Sequence, residues 1–235
     1  MKILSIDSSS LVATVAIVDE EKVLAEYTIN HKKTHSQTLL PMLDEIVKMI
    51  EMDMSEIDAI AVSGGPGSFT GLRIGSATAK GLGLALGKPI IHVPTLEAMA
   101  YNFYQTDRLV CPIMDARREQ VYAGLYEFDE NGFKVVLDQT PLAIKDLVEQ
   151  LNSISRKVVF MGDGVPVYKD YITNNASFVV EFAPAHLSRQ RASAVGALGM
   201  EYYKLGKIQS AEEHSPDYLR LSQAERELNE KKMDK

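Results

Sequence analysis

A glycine-rich turn, Gly64, Gly65, Pro66 and Gly67, is the stretch whose residue types most clearly suggest chemistry. It separates a short apolar run, typical of a buried strand, from a helix-like segment that Ser68 or Thr70 can cap. The backbone N–H groups of such a turn can point at an anion. The turn therefore predicts an anion site, and the alternative is that it only joins a strand to a helix.

Histidine, serine and cysteine side chains give weaker signals. His31 and His35 have the i, i+4 spacing of helical metal ligands, but they fall between a predicted strand and a predicted helix, without an accompanying glutamate. Ser68 lacks the residues of a nucleophile elbow, and Cys111 lies in an apolar run that is predicted to be inert core. We therefore predict neither a catalytic residue nor a metal site in this chain.

The helix predicted over residues 70–87 is unusual because small residues recur every four positions. One row is Gly71, Gly75, Ala79, Gly83 and Gly87, and a second row is Ala77, Gly81 and Ala85. Each glycine inside a helix costs roughly 1 kcal/mol relative to alanine, so close approach of another backbone or a ligand would explain them. The alternative is that the helix lies tightly on its own sheet.

A second helix, predicted over residues 36–51, is apolar around most of its circumference. Leu39, Leu43, Ile46 and Ile50 lie on one side of it, and further apolar residues widen that side. One face can cover a sheet while the other stays exposed beside the small-residue helix. This pair of helices predicts a partner site, unless the rest of the chain covers them.

The composition limits the classes of function. The chain has 235 residues, a net charge of −7 and a pI near 5.3, which argues against a protein that grips nucleic acid mainly through its own surface. Its one cysteine fits a reducing compartment. No apolar run approaches the roughly 20 residues of a membrane helix, and the N-terminus enters a strand pattern without a signal-peptide layout. We expect a cytoplasmic protein that does not bind membranes.

The order strand, strand, strand, helix, strand, helix occurs twice along the chain, and this repeat predicts the architecture. The helix over residues 192–205 is predicted to be the counterpart, in the second repeat, of the helix over residues 70–87. The fold class is therefore α/β, a duplicated structure of two lobes, each a mixed sheet flanked by helices. We predict a partner-binding N-terminal lobe over residues 1–107, a C-terminal lobe over residues 108–214, and a terminal segment with a charged helix over residues 215–235.

Two lobes whose first strands end in aspartate resemble the actin-like ATPase fold (the ASKHA or ribonuclease H-like group), which includes sugar kinases. In that group ATP lies in the cleft between the lobes, and an aspartate after the first strand helps to hold the metal. The resemblance implies candidate nucleotide-binding residues at Asp7, Ser8, Gly64, Gly65 and Gly67. The alternative is that Asp7 and the serines after it only cap and turn the end of a strand. An acidic base and an adenosine pocket are not recognisable in the sequence.

Several motifs together resemble the TsaB family, also called YeaZ. They lie at residues 3–10, 63–75, 80–82, 94–98, 115–118 and 216–220. TsaB is a paralogue of TsaD, the catalytic subunit that makes N6-threonylcarbamoyladenosine (t6A) in tRNAs that read ANN codons, and older names call both glycoproteases. The resemblance implies a non-catalytic platform subunit that binds and activates TsaD. The two metal-binding histidines of TsaD are missing from the matching segment, where only His92 remains.

The resemblance also implies the partners. The helices over residues 36–51 and 70–87 would pair with TsaD in a direct heterodimer, and with a second copy when the chain is isolated. TsaE joins the complex, TsaC supplies threonylcarbamoyl-adenylate, and tRNA is reached through the complex. The chain itself would need no cofactor, although ATP or ADP could lie at the interface with TsaD. The predicted interface residues are Leu39, Leu43, Ile46, Ile50, Gly71, Arg73, Ile74, Gly75, Thr78 and Ala79.

Two rival functions stay open at the level of sequence. One is a nucleotide-binding ATPase or kinase that uses Asp7 and the glycine turn, and the other is a metalloprotease, as the older name suggests. If the small-residue row contacts a partner, a large residue at Gly75 should weaken the complex without unfolding the protein.

Overall fold

Two mixed β-sheets form the centre of the structure, a computed structural model that describes residues 1–31 and 34–219. The first sheet contains β1 (Lys2–Asp7), β2 (Val12–Asp19), β3 (Val23–Asn30), β4 (Ala59–Gly65) and β5 (Ile90–Pro94), in the order β3-β2-β1-β4-β5. Short turns make β1, β2 and β3 antiparallel, whereas helical crossovers make β4 and β5 parallel to β1.

The second sheet repeats this plan. It contains β6 (Leu109–Asp115), β7 (Gln120–Asp129), β8 (Gly132–Ala143), β9 (Val158–Met161) and β10 (Val180–Phe182), in the order β10-β9-β6-β7-β8. Again the first three strands are antiparallel neighbours, and β9 and β10 add in parallel. The predicted duplication of a mixed sheet is confirmed.

Six α-helices cover the sheets in the described part of the chain: α1 (His35–Met49), α2 (Phe69–Leu86), α3 (Thr95–Tyr101), α4 (Ile144–Ile154), α5 (Val165–Asn175) and α6 (Ala192–Lys204). α1 and α2 lie side by side on one face of the first sheet, where Leu4 and Ile6 point. α6 lies on the opposite face, against Ile3 and Ala16. The alternation of side chains along β1 thus gives the first sheet two buried faces.

The structure corrects one detail of the repeat. The counterpart of α2 in the second repeat is α5, which directly follows β9, and not the helix over residues 192–205. That helix, α6, belongs to the second half of the chain but packs on the first sheet. Its glycines fit this contact, because a Cβ at Gly196 would lie 2.6 Å from Val18 and one at Gly199 would lie 2.9 Å from Ala61. The prediction missed α5 because only Tyr168 and Ile172 are buried along it.

Other boundaries differ little from the predicted ones. Of the two predicted cap residues, Ser68 and Thr70, it is Ser68 that caps α2, by accepting a hydrogen bond from the N–H of Gly71 at 3.3 Å. The charged helix predicted near the C-terminus lies outside the described residues. The division at residue 107 falls between α3 and β6 and stays a prediction, as does the separate terminal segment. Within the described ranges, no helix combines the length and apolar character that a bilayer crossing requires.

A partly buried ionic contact fixes α6 against the first sheet. The Glu26 carboxylate on β3 accepts hydrogen bonds from the N–H and the hydroxyl of Ser193, at 2.9 and 2.6 Å, and pairs with Arg191. Partial burial acts to raise the pKa of Glu26, but the hydrogen bonds from Arg191 and Ser193 prevail and lower it. The carboxylate therefore caps the start of α6 as an anion.

Replacement of Glu26 by glutamine tests this cap. We expect Glu26→Gln to lower the free energy of unfolding at pH 7 by about 1–2 kcal/mol, because charge-assisted bonds at the start of α6 are lost. Since the folded-state pKa is below the ordinary value, the wild-type advantage is present above that value and disappears as the pH falls through the folded pKa. Urea unfolding of both proteins at pH 7 and pH 4 measures this. An equal difference at both pH values would contradict the ionic cap.

Candidate functional site

A polar cleft of about 670 Å³ lies between the end of β1 and the end of β6. Both halves of the chain contribute to its walls. The polar side chains are Ser9, Ser10, His35, Ser68, Thr70, Asp115, Arg117, Asp163 and Asp217, and the aromatic ones are Phe69, Tyr122 and Tyr218. This is the place where the predicted nucleotide would lie, so the positions of the five candidate residues can be compared with it.

Asp7 is buried behind the cleft and does not line it. One carboxylate oxygen accepts hydrogen bonds from the N–H and the hydroxyl of Ser9, at 2.8 and 2.7 Å, and the other accepts one from the hydroxyl of Ser63. Complete burial raises the pKa of Asp7, which the hydrogen bonds from Ser63 and Ser9 oppose. Ser8 is also buried, and its hydroxyl donates to the carbonyl of Gly71 at 2.8 Å. Both side chains are therefore engaged within the chain.

The glycine turn is filled by the chain's own backbone. The carbonyl of Gly64 accepts from the N–H of Asp217 at 2.7 Å. Gly65 has a φ of +127°, and a Cβ there would lie 2.4 Å from the carbonyl oxygen of Asp217. A Cβ at Gly67 would lie 2.4 Å from the carbonyl oxygen of Ser9. Of the five candidate nucleotide-binding residues only Gly67 lines the cleft, so this set does not fit a bound nucleotide in the arrangement described.

The inner small-residue row of α2 faces the same turn. A Cβ at Gly71 would lie 2.0 Å from the carbonyl oxygen of Ser8, and one at Gly75 would lie 2.4 Å from its hydroxyl. Ala79 is fully buried in the core of the first sheet. Close packing inside the chain therefore accounts for the small residues at these three positions. A large residue at Gly75 would meet the Ser8 hydroxyl, so we expect it to cost stability whatever its effect on a complex.

The apolar side of α1 is likewise internal. Leu39, Leu43 and Ile46 are 1%, 5% and 5% exposed and belong to the core between α1 and the first sheet. Ile50, which follows the last turn, is half-buried against that core. Three of the four residues that were predicted to offer apolar area to a partner are thus covered by the chain itself.

Three other predicted interface residues do reach the surface. Ile74 and Thr78 are partly buried, and Arg73 is exposed. The Arg73 guanidinium lies 4.1 Å from the centre of the Phe69 ring, and its Nε donates to the Tyr218 hydroxyl at 3.2 Å. Arg73 therefore joins the start of α2 to the C-terminal part of the described chain.

The outer surface of α1 and α2 carries the second small-residue row. Its members, Ala77, Gly81 and Ala85, are all exposed, and no atom lies within 4 Å of a Cβ placed at Gly81. Large apolar side chains are also exposed on the two helices: Leu84 on α2, and Leu40 and Met49 on opposite sides of α1, which are 59%, 54% and 76% exposed. We call this surface the outer helical face. It has the two properties that a helix-to-helix contact requires, apolar area and room for a close approach.

The second half of the chain supplies the charged groups of the cleft. Asp115 ends β6, and its N–H donates to Asp163 Oδ1 at 3.2 Å. Burial raises the pKa of Asp163, while the Asp115 N–H and the nearby Arg189 oppose the rise. Arg117 reaches the cleft from the turn between β6 and β7.

Residues 207–219 cross the first half of the molecule, and we call this segment the strap. It forms an antiparallel bridge between Gln209 and Ile90, with both hydrogen bonds at 2.9 Å, at the edge of the first sheet. Lys80 on α2 donates to the carbonyl of His214 at 2.9 Å. The strap ends beside the cleft, where the Tyr218 ring lies 4.4 Å from that of Phe69.

His214 of the strap lies beside His92 of β5. Their ring centres are 5.6 Å apart, and His92 Nε2 lies 3.1 Å from a carboxylate oxygen of Asp217. Burial lowers the pKa of His214 to about 4, with further contributions from His92 and Lys80. The described ranges contain no cluster of three or more histidine, cysteine or acidic side chains placed to hold a metal ion. His35 is separate from this group and lies against the carbonyl of Ser10.

Sequence reasoning missed the cleft residue Asp163 and the strap residues His214 and Asp217. Asp163 follows an apolar run within Gly-Asp-Gly, which predicts a turn but gives no sign that the turn enters a cleft. The strap has neither helical nor strand periodicity, so only its contacts reveal it.

The comparisons with known proteins agree with the fold. The profile of the family described as TsaD, tRNA N6-adenosine threonylcarbamoyltransferase, matches residues 22–228. The tRNA threonylcarbamoyladenosine biosynthesis protein TsaB of Bacillus subtilis is 35% identical over 227 residues, which are 96% of this chain and 96% of that protein.

Two solved structures have a similar fold. The structure of YeaZ from Pseudomonas aeruginosa has a TM-score of 0.79 and 25% identity, and it covers 93% of this chain and 99% of that one. An inorganic polyphosphate/ATP-glucomannokinase from Arthrobacter has a TM-score of 0.51 and 13% identity over 87% of this chain and 99% of that one. The second likeness concerns the fold alone. The predicted actin-like ATPase fold is confirmed.

Two glycines of α2 give a matched test of the packing. Gly75→Leu should lower the free energy of unfolding by about 2 kcal/mol or more, because the new side chain meets the buried hydroxyl of Ser8. Gly81→Leu should be neutral or stabilising by up to about 1 kcal/mol, because the site is open and leucine favours the helix. Urea unfolding of both variants compares them. Equal stability of the two would refute the inward orientation of Gly75.

The buried histidine predicts a dependence of stability on pH. Since the folded-state pKa of His214 is about 4, the unfolded chain binds a proton between that pH and the ordinary histidine value. The free energy of unfolding should therefore fall from pH 7 to pH 4, with a contribution from His214 on the order of 1–3 kcal/mol. His214→Gln should flatten the profile, and His186→Gln, at an exposed histidine, should leave it unchanged. Thermal unfolding across this pH range measures both, and a wild-type slope retained in His214→Gln would contradict the assignment.

Proposed function

Because the chain belongs to the TsaB family of tRNA threonylcarbamoyladenosine biosynthesis proteins, we propose that it is a non-catalytic platform subunit that binds TsaD and holds it in an active form. The observation that carries the proposal is the outer helical face. It combines an open glycine, Gly81, with exposed apolar side chains on two adjacent helices, and the described chain leaves these positions uncovered. A surface of this kind is typical of a protein–protein contact.

The proposal differs in its residues from the interface predicted by sequence. The inner row with Gly71, Gly75 and Ala79 packs on the chain itself, so the contact with TsaD is assigned to Ala77, Gly81 and their neighbours. A partner helix could approach closely along Gly81, because nothing stands where a side chain would be. Leu84 would supply apolar area from α2, and an exposed apolar side chain of α1, Leu40 or Met49, would add to it. Arg73, Ile74 and Thr78 lie on α2 as well.

An interface of standard size buries roughly 800 Å² on each partner, which two adjacent helices of this length can provide. The same face would serve a homodimer when TsaD is absent, so the two partners should compete. TsaE and tRNA would join the assembly through TsaD. ATP or ADP at the contact with TsaD stays a prediction from the family resemblance.

No specific observation favours either rival function. Both carboxylate oxygens of Asp7 are occupied by hydrogen bonds within the chain, which leaves a kinase-like role without its metal ligand. The paired histidines of a metalloprotease find no counterpart near His92, whose ring lies against Gly64 and Asp217.

Substitutions on the outer helical face test the contact with TsaD. Gly81→Leu and Leu84→Lys should each weaken binding of TsaD by about tenfold or more, because one removes the room for close approach and the other places a charge in an apolar contact. Isothermal titration calorimetry with purified TsaD gives the dissociation constants. The control is Val167→Lys on α5, since Val167 is 58% exposed and Leu84 is 59% exposed.

The activity readout is threonylcarbamoyl transfer to tRNA by TsaD with and without this chain. The platform role requires that TsaD alone is much slower, and that Gly81→Leu lowers the rate at limiting concentration but not at saturation. Equal rates with and without the chain would refute the platform role. Weakening by Val167→Lys as strong as that by Leu84→Lys would refute the assigned surface.

A further inference from the structure

The strap runs along one side of α2. Arg73 and Lys80 donate hydrogen bonds to it, and Leu84 faces it across a groove. Because these three residues are seven and four positions apart, they share one side of the helix. α1 lies on the other side, where Leu82 packs into the core shared with α1. The open residue Gly81 therefore lies between α1 and the strap.

The groove between the end of α2 and the strap has a volume of about 430 Å³ and apolar walls. Leu84 and Pro89 line it from one side and Ile208 lines it from the strap. Leu84 is 59% exposed and Ile208 is 44% exposed, and no described atom lies within 4 Å of a Cβ placed at Gly87. The volume is in the range of preformed binding pockets. The groove is thus open to a side chain from another molecule.

The charged and polar side chains of the groove favour an apolar occupant. One lysine, Lys88, and one glutamate, Glu212, line it, so they contribute no net charge. Gln209 Oε1 lies 3.2 Å from Nδ1 of His214, and the Ser210 hydroxyl accepts an N–H bond from within the strap at 3.2 Å. The remaining lining consists of glycine, proline and aliphatic residues. Neither an anion nor a cation finds an excess of opposite charge there.

Contacts with the first half of the chain hold the strap wall in place. Two backbone hydrogen bonds of 2.9 Å join Gln209 to Ile90. Ala211 is 5% exposed and belongs to the core of the first sheet. Lys80 Nζ donates to the carbonyl of Glu212 at 3.2 Å. The groove is therefore preformed, which lowers the ordering cost that a partner has to overcome.

We propose that this groove receives apolar side chains of TsaD, so that the partner contact extends from the outer helical face onto the strap. The inference rests on the proposed platform role and adds a second segment of the chain to its contact surface. Leu84 borders both the outer helical face and the groove. Gly81 and Gly87 are six residues apart, roughly 9 Å along the helix axis. Two turns of a partner helix that lies along α2 would cover both positions.

The need for apolar area favours the same partner for both surfaces. Leu40 and Met49 lie on opposite sides of α1, so only one of them can join Leu84 in a single contact. Ile208 adds a large aliphatic side chain beside Leu84 that the two helices do not provide. Aliphatic side chains clustered around one pocket form the apolar core that a stable interface requires.

The test is the affinity of the full chain for purified TsaD, measured by isothermal titration calorimetry. Ile208→Lys should weaken binding by about tenfold or more, because it places a charge in an apolar contact. Ile208→Leu should retain most of the affinity, since it keeps the volume and the apolar character. The matched control is Val136→Lys on β8, because Val136 is 43% exposed and Ile208 is 44% exposed. Val136→Lys should bind TsaD like wild type.

Two measurements on the isolated chain exclude other occupants. Ile208→Lys and Val136→Lys should have the same stability in urea, and a clearly larger loss at Ile208 would overturn the inference, because the chain itself would then fill the groove. Sedimentation equilibrium measures self-association. If Ile208→Lys weakens self-association and leaves the affinity for TsaD unchanged, the occupant is a second copy and the inference is overturned.

Comparison with the variants of α2 separates this inference from the platform contact. If Leu84→Lys weakens TsaD binding and Ile208→Lys does not, the groove contact fails and the platform contact stands. If Ile208→Lys weakens binding and Gly81→Leu does not, the groove contact stands and the assignment to the outer small-residue row fails. If wild type does not bind TsaD, the platform role fails and the groove contact fails with it.

Discussion

The close contact between α2 and the turn after β1 is the constraint on which the rest of the structure depends. The carbonyl and hydroxyl of Ser8 lie where Cβ atoms of Gly71 and Gly75 would be, so only glycine permits the helix to approach this far. The contact encloses the end of β1, and Asp7 is consequently buried, with partners for both of its oxygens. A residue that resembles a metal ligand in sequence thereby becomes part of the internal hydrogen-bond network.

The strap closes the same region from the other side. Its N–H at Asp217 donates to the carbonyl of Gly64, and the carbonyl of Asp217 lies against Gly65, where a phosphate would have to approach the turn. The first half of the cleft is thus occupied by the chain, while the second half keeps Asp115, Asp163 and Arg117 at its surface. The duplicated fold has two ends of similar topology but different accessibility, and this asymmetry moves the remaining chemistry to the second half.

The two small-residue rows of α2 show how one helix can serve two purposes. The inner row contains Gly71 and Gly75 and lets the helix lie close to the turn after β1, and the outer row contains Gly81 and leaves open space beside apolar side chains. The inner glycines are needed for this close packing, whereas no described atom lies within 4 Å of a Cβ placed at Gly81. A contact with a partner would explain why small residues occur in the outer row, because glycine in a helix otherwise lowers stability.

The sequence by itself determined the fold class, the repeat of three antiparallel strands followed by parallel ones, a cap at Ser68 or Thr70, and the pairing of α1 with α2. These features depend on local periodicity and on short connections, which a sequence displays directly. It also identified the small-residue rows of α2 but could not orient them, because both rows repeat every four residues. Only the tertiary structure decided that Gly75 faces Ser8 and that Gly81 faces outward, that α6 crosses to the first sheet, and that the strap covers Gly64. Those outcomes depend on contacts between residues far apart in the chain, and no local pattern encodes them.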